Sequence, residues 1–182
     1  MLGQHSDDLT HSRDIIAPEH FDLLLKGLTD VAVALAQVAT KQAIFVSRGD
    51  DSGTHKLELS LWKTAGVDVA AASGTWYREA GAGMGATLNT ASGLDAYSLT
   101  DRGTWISFKN RGNLIILVEG DSRLFNQYGV MLVNPKKHPH VKATDGQTFI
   151  DWLRSDKGQQ AIATFRIEGE QAFFPNARKT GS

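Results

Sequence analysis

The chain has 182 residues, of which 41% are hydrophobic, and its formal net charge is -1. This length allows one domain or two small lobes with a buried core, and the near-neutral charge excludes a general attraction to nucleic acid or acidic membranes. With no cysteine, disulfides and thiolate chemistry are excluded, and no stretch approaches the roughly 20 apolar residues of a membrane span.

The first part of the chain predicts a helix, a strand, a loop and a second helix. Residues 1–13 are polar without periodicity, which predicts a flexible arm. Apolar residues from Leu28 to Ala39 recur at helical spacing and predict a helix that ends near Lys41. Ala43 to Val46 predicts a short buried strand, and a helix is expected over Lys56 to Lys63. This alternation is typical of an α/β layered fold.

Helix and strand signals also alternate in the rest of the chain. The predicted helices are one over Met84 to Ser92, a short one capped by Thr100-Asp101 and ending near Ile106, and two around Phe149 to Leu153 and Ala161 to Phe165. The predicted strands lie over Leu114 to Val118, Val130 to Val133 and Gln171 to Phe174, and a frayed tail is expected from Arg178. Thr144 to Gln147 fits a capping box.

The loop from Ser47 to His55 has the composition of an anion-binding loop. Its glycines permit a tight turn, and Ser52 and Thr54 are small hydroxyl residues placed where a helix begins. A helix start offers unpaired N–H groups and the positive end of the dipole, so backbone from Ser52 through Gly53 to Thr54 can wrap an oxyanion. Arg48 adds a planar guanidinium that matches two oxygens of a tetrahedral anion.

A plainer interpretation of the same loop is a glycine turn with helix caps, in which Arg48 forms a surface ion pair with Asp50 or Asp51. The loop alone leaves the two interpretations about equal. Either acidic residue would repel an anion if it pointed into the site, so we expect these residues to orient Arg48 or to bond loop amides.

Three catalytic or cofactor patterns are weaker. Ser52 and His55 are a poor nucleophile and base without a third group. Gly81 to Ala86 satisfies G-x-G-x-x-A, but residues 76–80 before it predict a poor strand, so a dinucleotide site lacks its context. His138-Pro139-His140 predicts a solvated turn rather than a metal site. We therefore expect no catalytic residue, no metal and no cofactor.

A series of motifs in one order resembles the tungstate-binding subunits of ABC importers, which are type II periplasmic binding proteins. The resemblance covers roughly Asp14 to Ala177. The matching motifs are Ser47 to His55 with Glu58 and Trp62, Trp76-Tyr77, Gly81 to Gly85 with Thr87-Leu88, Ala96 to Thr104, Asn126-Gln127-Tyr128, Asn134-Pro135, Asp151-Trp152-Leu153, Gly158-Gln159 and Phe173-Phe174-Pro175.

The resemblance implies a fold and a site. The expected fold class is α/β and type II periplasmic-binding-protein-like, with one complete α/β lobe over residues 14–124 and part of the second lobe over residues 125–182. Arg48 and the Ser52-Gly53-Thr54 helix start would hold a tetrahedral dianion of the tungstate or molybdate class. The segment Gly83-Met84-Gly85 and Thr100 would close on it. The implied setting is periplasmic or extracellular, with ABC transporter membrane subunits as partners and no nucleic acid.

The sequence departs from the family pattern before Asp14. Members carry an N-terminal half-domain with a Thr/Ser-rich loop, and nothing similar precedes Asp14 here. We therefore expect a weakened binding site and a homo-oligomer that covers apolar faces, with contacts from Phe149, Ile150, Leu153 and Phe165. The alternative function is a binding-protein-like module that mediates protein interaction or senses an anion without transport.

Overall fold

The computed structural model describes residues 9–18, 25 and 27–177, with side chains from Arg13 onward. The chain divides into two compact units. The central unit is Ser12–Phe125, and the terminal unit combines the two chain ends, of which residues 9–11 and 126–177 are described. No helix in these described ranges is long and apolar enough to cross a membrane.

The elements alternate through the central unit and become short at the end of the chain. The strands are β1 (Leu9–Pro18), β2 (Phe45–Ser47), β3 (Tyr77–Glu79), β4 (Tyr97–Asp101), β5 (Leu114–Val118), β6 (Phe125–Gln127), β7 (Arg166–Ile167), β8 (Glu170–Gln171) and β9 (Phe174–Pro175). The helices are α1 (Val31–Thr40), α2 (Gly53–Thr64), α3 (Met84–Gly93), α4 (Arg102–Ser107), α5 (Ala143–Arg154) and α6 (Asp156–Thr164).

The sheet of the central unit has the order β3-β2-β4-β1-β5. β2 runs parallel to β3 and β4, whereas β1 is antiparallel to β4 and β5. Ile15 and Ile16 are both fully buried but lie in different core clusters, because successive strand residues point to opposite faces. One cluster contains residues of α1 and α2 and the other contains residues of α3, so helices cover both faces of the sheet.

The two helices on the first face begin at side-chain caps. Asp30 Oδ1 accepts hydrogen bonds from the amides of Ala32 and Val33 at the start of α1. Ser52 Oγ accepts one from the amide of His55 at the start of α2. The predicted position of Ser52 at a helix start is confirmed.

Several other predicted elements are confirmed within a few residues. β5 has the predicted bounds, α3 begins at the predicted Met84, and Asp101 caps α4 as expected by accepting from the amide of Thr104. The α/β class follows from this alternation of helices and parallel strands.

Other sequence predictions are wrong. No strand forms over Val130 to Val133, where Met131 is 89% exposed, because an apolar run makes a strand only where a neighbouring strand offers hydrogen bonds. The predicted capping box fails because α5 begins at Ala143 and Thr144 lies inside it.

The strand predictions also need correction at three other places. The stretch before Gly81 does form a strand, β3, which lies at the edge of the sheet and buries only Tyr77. The predicted strand over Gln171 to Phe174 is two short strands, β8 and β9, separated by the buried Ala172. Residues 9–13 of the predicted arm belong to β1, while residues 1–8 and the predicted tail from Arg178 lie outside the described residues.

Candidate functional site

Three loops of the central unit leave the sheet at the same edge. Because β3, β2 and β4 are parallel, their carboxyl ends share that edge, and α2, α3 and α4 begin just beyond it. In open α/β sheets, ligands bind outside the carboxyl ends of the strands. The topology therefore brings the three predicted segments, Arg48 to Thr54, Gly83 to Gly85 and Thr100, to one edge of the sheet.

The loop after β2 requires glycine at its first turn. Gly49 has a φ of +59°, and a Cβ there would lie 2.8 Å from the Cβ of Glu79. Its amide donates to Ser47 Oγ at 3.2 Å. The Ser52 cap uses the amide of His55, so the amides of Gly53 and the next residue belong to the unpaired first turn of α2.

Arg48 is held by a carboxylate of its own loop. Its Nε and Nη2 atoms donate to Asp50 Oδ2 at 3.2 and 2.5 Å, and Asp50 Oδ1 accepts from the amide of Ser52. Although desolvation opposes the shift, hydrogen bonds from Ser52 and Arg48 lower the pKa of Asp50 to about 2. Asp51 pairs with Lys56 at 3.3 Å. The expectation that the acidic residues orient Arg48 and bond loop amides is confirmed for Asp50.

The loop after β3 is bonded to the loop after β2. The amides of Ala80 and Ala82 donate to the carbonyls of Ser47 and Arg48 at 2.9 and 3.1 Å. These two bonds fix the position of α3, which begins just beyond this loop, relative to the first loop.

The start of α3 is open. Gly83 caps α3 without a side-chain hydrogen bond, and a Cβ added to Gly83 or Gly85 would meet no atom within 4 Å. Met84 between them buries its side chain in the core, so what it offers a ligand is its backbone amide.

Thr100 is less well placed. Its side chain is fully buried at the end of β4, and its hydroxyl donates to the carbonyl of Asp101. Asp101 accepts from both the amide and the hydroxyl of Thr104, which puts a carboxylate at the start of α4. The anion-attracting helix starts at this edge are therefore those of α2 and α3.

The buried carboxyl group of Glu58 is hydrogen-bonded to Ser47, the residue at which β2 ends and the first loop begins. Glu58 is 1% exposed and accepts hydrogen bonds from Ser47 Oγ at 2.8 Å, Trp62 Nε1 at 3.2 Å and Tyr77 Oη at 2.7 Å. Burial raises the pKa of Glu58 from 4.5 to about 7, against these hydrogen bonds, which favour the carboxylate. Ser47 Oγ in turn accepts a hydrogen bond from the amide of Gly49, so the Ser47 side chain links Glu58 to the turn.

Sequence reasoning gave no role to two residues of this region, Glu58 and Arg13. Glu58 was named only within a matching motif, although it lies four residues before Trp62 on α2, a spacing that signals contact on one helix face. Arg13 carried no signal, because it contacts Thr54 from 41 positions away. Its side chain is 7% exposed, and its Nε donates to Thr54 Oγ1 at 3.4 Å.

The residues of the weaker catalytic and metal-site patterns are not arranged as those chemistries would require. His55 Nδ1 accepts from the amide of Asp51, and Ser52 Oγ accepts from the amide of His55, so these two side chains do not form a nucleophile and base pair. Within the described ranges, no group of three or more His, Cys, Asp or Glu residues is placed to hold a metal ion.

Comparison with known proteins places this architecture in a family. A sequence model described as a PBP superfamily domain matches residues 12–157. A tungstate-binding protein TupA of Peptoclostridium acidaminophilum is 41% identical over 169 residues, which are 91% of this chain and 58% of the relative. The chain spans about half to three-fifths of the length of the curated relatives it matches, with values of 48% to 61%.

Solved structures of proteins named for tungstate also match this chain. The tungstate-binding protein TupA of Desulfovibrio alaskensis G20 is 41% identical with a TM-score of 0.83, and the match covers 95% of this chain and 70% of that one. The tungstate ABC transporter structure from Geobacter sulfurreducens is 44% identical with a TM-score of 0.77, and the match covers 88% and 67%.

An open α/β sheet whose helix starts converge at one carboxyl edge defines the class of ligand-binding α/β proteins. With the match over residues 12–157, the chain belongs to the PBP superfamily, and its relatives there include proteins named as tungstate-binding TupA.

Proposed function

We propose that this chain binds a tetrahedral oxyanion of the tungstate or molybdate class at the carboxyl edge of β3, β2 and β4. The observation that carries the proposal is the convergence of two helix starts, those of α2 and α3, whose loops are tied by the bond from Ala82 to Arg48. The relatives named as tungstate-binding proteins support the choice of ligand class.

In this proposal the donors divide into amides and one guanidinium. The amides of Gly53 and Thr54 bind from α2, and those of Met84 and Gly85 bind from α3. Arg48 offers the edge of its guanidinium that Asp50 leaves unbonded, since the Asp50 bonds use Nε and Nη2. Binding a dianion away from water requires hydrogen bonds to all its oxygens, which backbone amides from two directions supply.

The proposal extends to a transport role without catalysis. The chain acts as the substrate-binding component of an ABC transporter, in the periplasm or outside the cell, with the transporter's membrane subunits as partners. It turns over no substrate. A phosphate or acyl ester whose hydrolysis disappeared in Ser52→Ala would contradict this part.

Self-association belongs to the same proposal. In the terminal unit, Phe149 and Phe165 expose 55% and 49% of their surface, and Trp152 exposes 45%. Apolar side chains of this size are typical of contact surfaces when they cluster, and Phe149 stacks with Trp152 at 6.1 Å between ring centroids. We expect copies of the chain to associate through this aromatic surface.

The test is to fill the proposed site and leave the fold intact. Gly85→Leu places a side chain in the open space at the start of α3, and Gly93→Leu is its control, because Gly93 lies at the other end of the same helix and a Cβ there also meets nothing within 4 Å. In calorimetric titrations with tungstate and molybdate, wild type and Gly93→Leu should bind and Gly85→Leu should not.

Thermal unfolding provides a second measurement. A ligand that binds only the folded state raises the melting temperature by mass action, by about 2.7 kcal/mol of stability at one hundred times its Kd. Wild type that gives neither heat nor a melting shift at millimolar tungstate, molybdate, sulfate and phosphate would refute the proposal. Equal binding by the two leucine variants would refute the proposed location.

A further inference from the structure

One buried carboxyl group joins the three elements whose ends form the proposed site. Glu58 belongs to α2, and it accepts hydrogen bonds from Ser47 at the end of β2 and from Tyr77 at the start of β3. The loop with Arg48 follows β2, the amide of Thr54 lies in the first turn of α2, and the loop after β3 leads to α3. The spacing of these parts therefore depends on the hydrogen bonds of a single carboxyl group.

The partners of Glu58 can bond both of its charge states. Trp62 Nε1 can only donate, but the hydroxyls of Ser47 and Tyr77 can donate or accept. Both hydroxyls donate to the carboxylate, at 2.8 and 2.7 Å. In the protonated acid, a proton on Oε2 is donated to Ser47 Oγ, which also accepts from the amide of Gly49 and so uses its two lone pairs. Neither state leaves the carboxyl group unbonded, so it can change charge inside the fold.

An anion at the start of α2 lies close to this carboxyl group. Thr54 and Glu58 are four residues apart on one face of α2, and both side chains are buried. An anion bound at the amide of Thr54 is therefore within roughly 10 Å of the carboxyl group. Two negative charges at this distance repel a carboxylate more strongly inside a protein than in water. Because burial already raises the pKa of Glu58 to about 7, this repulsion favours its protonation at neutral pH.

From this geometry, and resting on the proposed function, we propose that Glu58 is a positioning residue of the oxyanion site and that binding of a dianion there is coupled to the uptake of one proton by its carboxyl group. The proton comes from the solvent and forms an O–H bond on Glu58, so the protein loses one negative charge as the ligand brings two. In the empty site this group is mostly protonated below about pH 7 and mostly ionised above it. The affinity is therefore highest below that pH and falls as the pH rises, until the carboxyl group ionises in the bound state as well.

Other titratable or charged groups surround Glu58 and must be separated from it. Tyr77 donates to it and Glu79 repels its charge, both from β3, while α1 has no charged residue. The groups on the other neighbouring elements are Tyr97 and Asp101 on β4, Arg48 and Asp50 after β2, and His55 on α2. Histidine is the side chain that changes charge most readily near neutral pH, so His55 needs a variant of its own.

The test measures tungstate affinity and proton uptake on the full chain between about pH 6.5 and 9. Calorimetric titrations in buffers of different ionisation enthalpy give both quantities, with tungstate kept dilute so that it stays a monomeric dianion. Glu58→Gln keeps the size of the side chain and imitates the protonated acid, since its amide can donate to Ser47 Oγ. The matched controls are Glu79→Gln, which removes an exposed carboxylate near Glu58, and His55→Gln.

For wild type we expect the affinity to fall by about ten- to a hundredfold from about pH 6.5 to 9, with uptake of about half a proton or more near pH 8. Glu58→Gln should lose this uptake and bind about tenfold or more tightly than wild type at about pH 9. Replacement of a side chain that only maintains the fold would weaken binding, so tighter binding distinguishes the two roles. Glu79→Gln and His55→Gln should keep both the fall in affinity and the proton uptake.

Tyr77→Phe gives a second, independent variant. It removes a hydrogen bond to Glu58 Oε1 that favours the carboxylate, so the carboxyl group holds its proton more tightly. The fall in affinity should therefore begin at a higher pH than in wild type. This variant decides the question if Glu58→Gln does not fold, and an unshifted profile would then overturn the inference.

Three results would overturn the inference and leave the proposed function standing. The first is a wild-type affinity for tungstate that does not change over this pH range. The second is proton uptake that survives in Glu58→Gln or disappears in His55→Gln instead. The third is weaker binding by Glu58→Gln at about pH 9, which would make the residue merely structural. A wild-type chain that binds no tungstate at any pH would instead refute the proposed function.

Discussion

Replacing Glu58 with glutamine should remove one component of the pH dependence of stability. Glu58 is buried among three donors, and its pKa in the folded chain is about 7 against an ordinary value of 4.5. The folded state therefore holds this proton more tightly than the unfolded state. That difference corresponds to about 3 kcal/mol, which stabilises the fold fully below about pH 4.5 and is lost as the pH rises to about 7.

The assay is urea unfolding of wild type and Glu58→Gln at several pH values between about 4 and 8. Other groups titrate in this range, among them Asp14, whose burial raises its pKa to about 6. The informative quantity is therefore the difference in unfolding free energy between the two proteins. It should change by about 3 kcal/mol in favour of the glutamine variant between about pH 4.5 and 7.

The control is Glu170→Gln, since Glu170 is an exposed carboxylate on β8. It controls for the loss of one carboxylate at the surface, away from the core. A flat curve for Glu58→Gln would refute the reasoning, because it would mean that the hydrogen bonds from Ser47, Trp62 and Tyr77 outweigh burial and keep Glu58 ionised in both states.

The remaining predictions concern the loop and the assembly. Arg48→Ala should weaken oxyanion binding by roughly 1.5 to 3 kcal/mol in calorimetric titration, with little change in melting temperature. If Arg48→Ala instead failed to fold, the arginine would have a structural role. Gly49→Ala should destabilise the chain by roughly 1 to 3 kcal/mol in urea, because of its positive φ and its close neighbour, while Gly93→Ala should not. Light scattering should show a dimer or larger assembly for wild type and a monomer for the double variant Phe149→Ser, Phe165→Ser. A monomeric wild type would contradict the proposed self-association.

The loop could be predicted because its determinants are local. Gly49 is needed for a positive φ, and Ser52 caps the helix that starts at the next residue. Both requirements lie within a few positions of the chain, so residue type alone indicates them. The same holds for β5, whose five apolar residues bury themselves against the sheet without help from a distant signal.

Features set by distant parts of the chain could not be predicted. A strand over Val130 to Val133 needs a neighbour that its own sequence does not specify, and the chain forms none there. The place of Arg13 depends on β1 lying next to β4, which brings residue 13 opposite Asp101 and within reach of Thr54. Its polar neighbours in sequence indicated an arm, and only the sheet order reveals a buried guanidinium.

The charge balance of the proposed site explains why backbone amides matter there. Asp50, with a pKa of about 2, remains ionised at every pH at which the protein would work, so Arg48 always has a carboxylate beside it. The starts of α2 and α3 together contribute about one positive charge, which is half of what a tungstate dianion carries. The rest of the ligand's charge must be balanced by hydrogen bonds to its oxygens, so the proposed site needs the amides of both helix starts and not one of them alone.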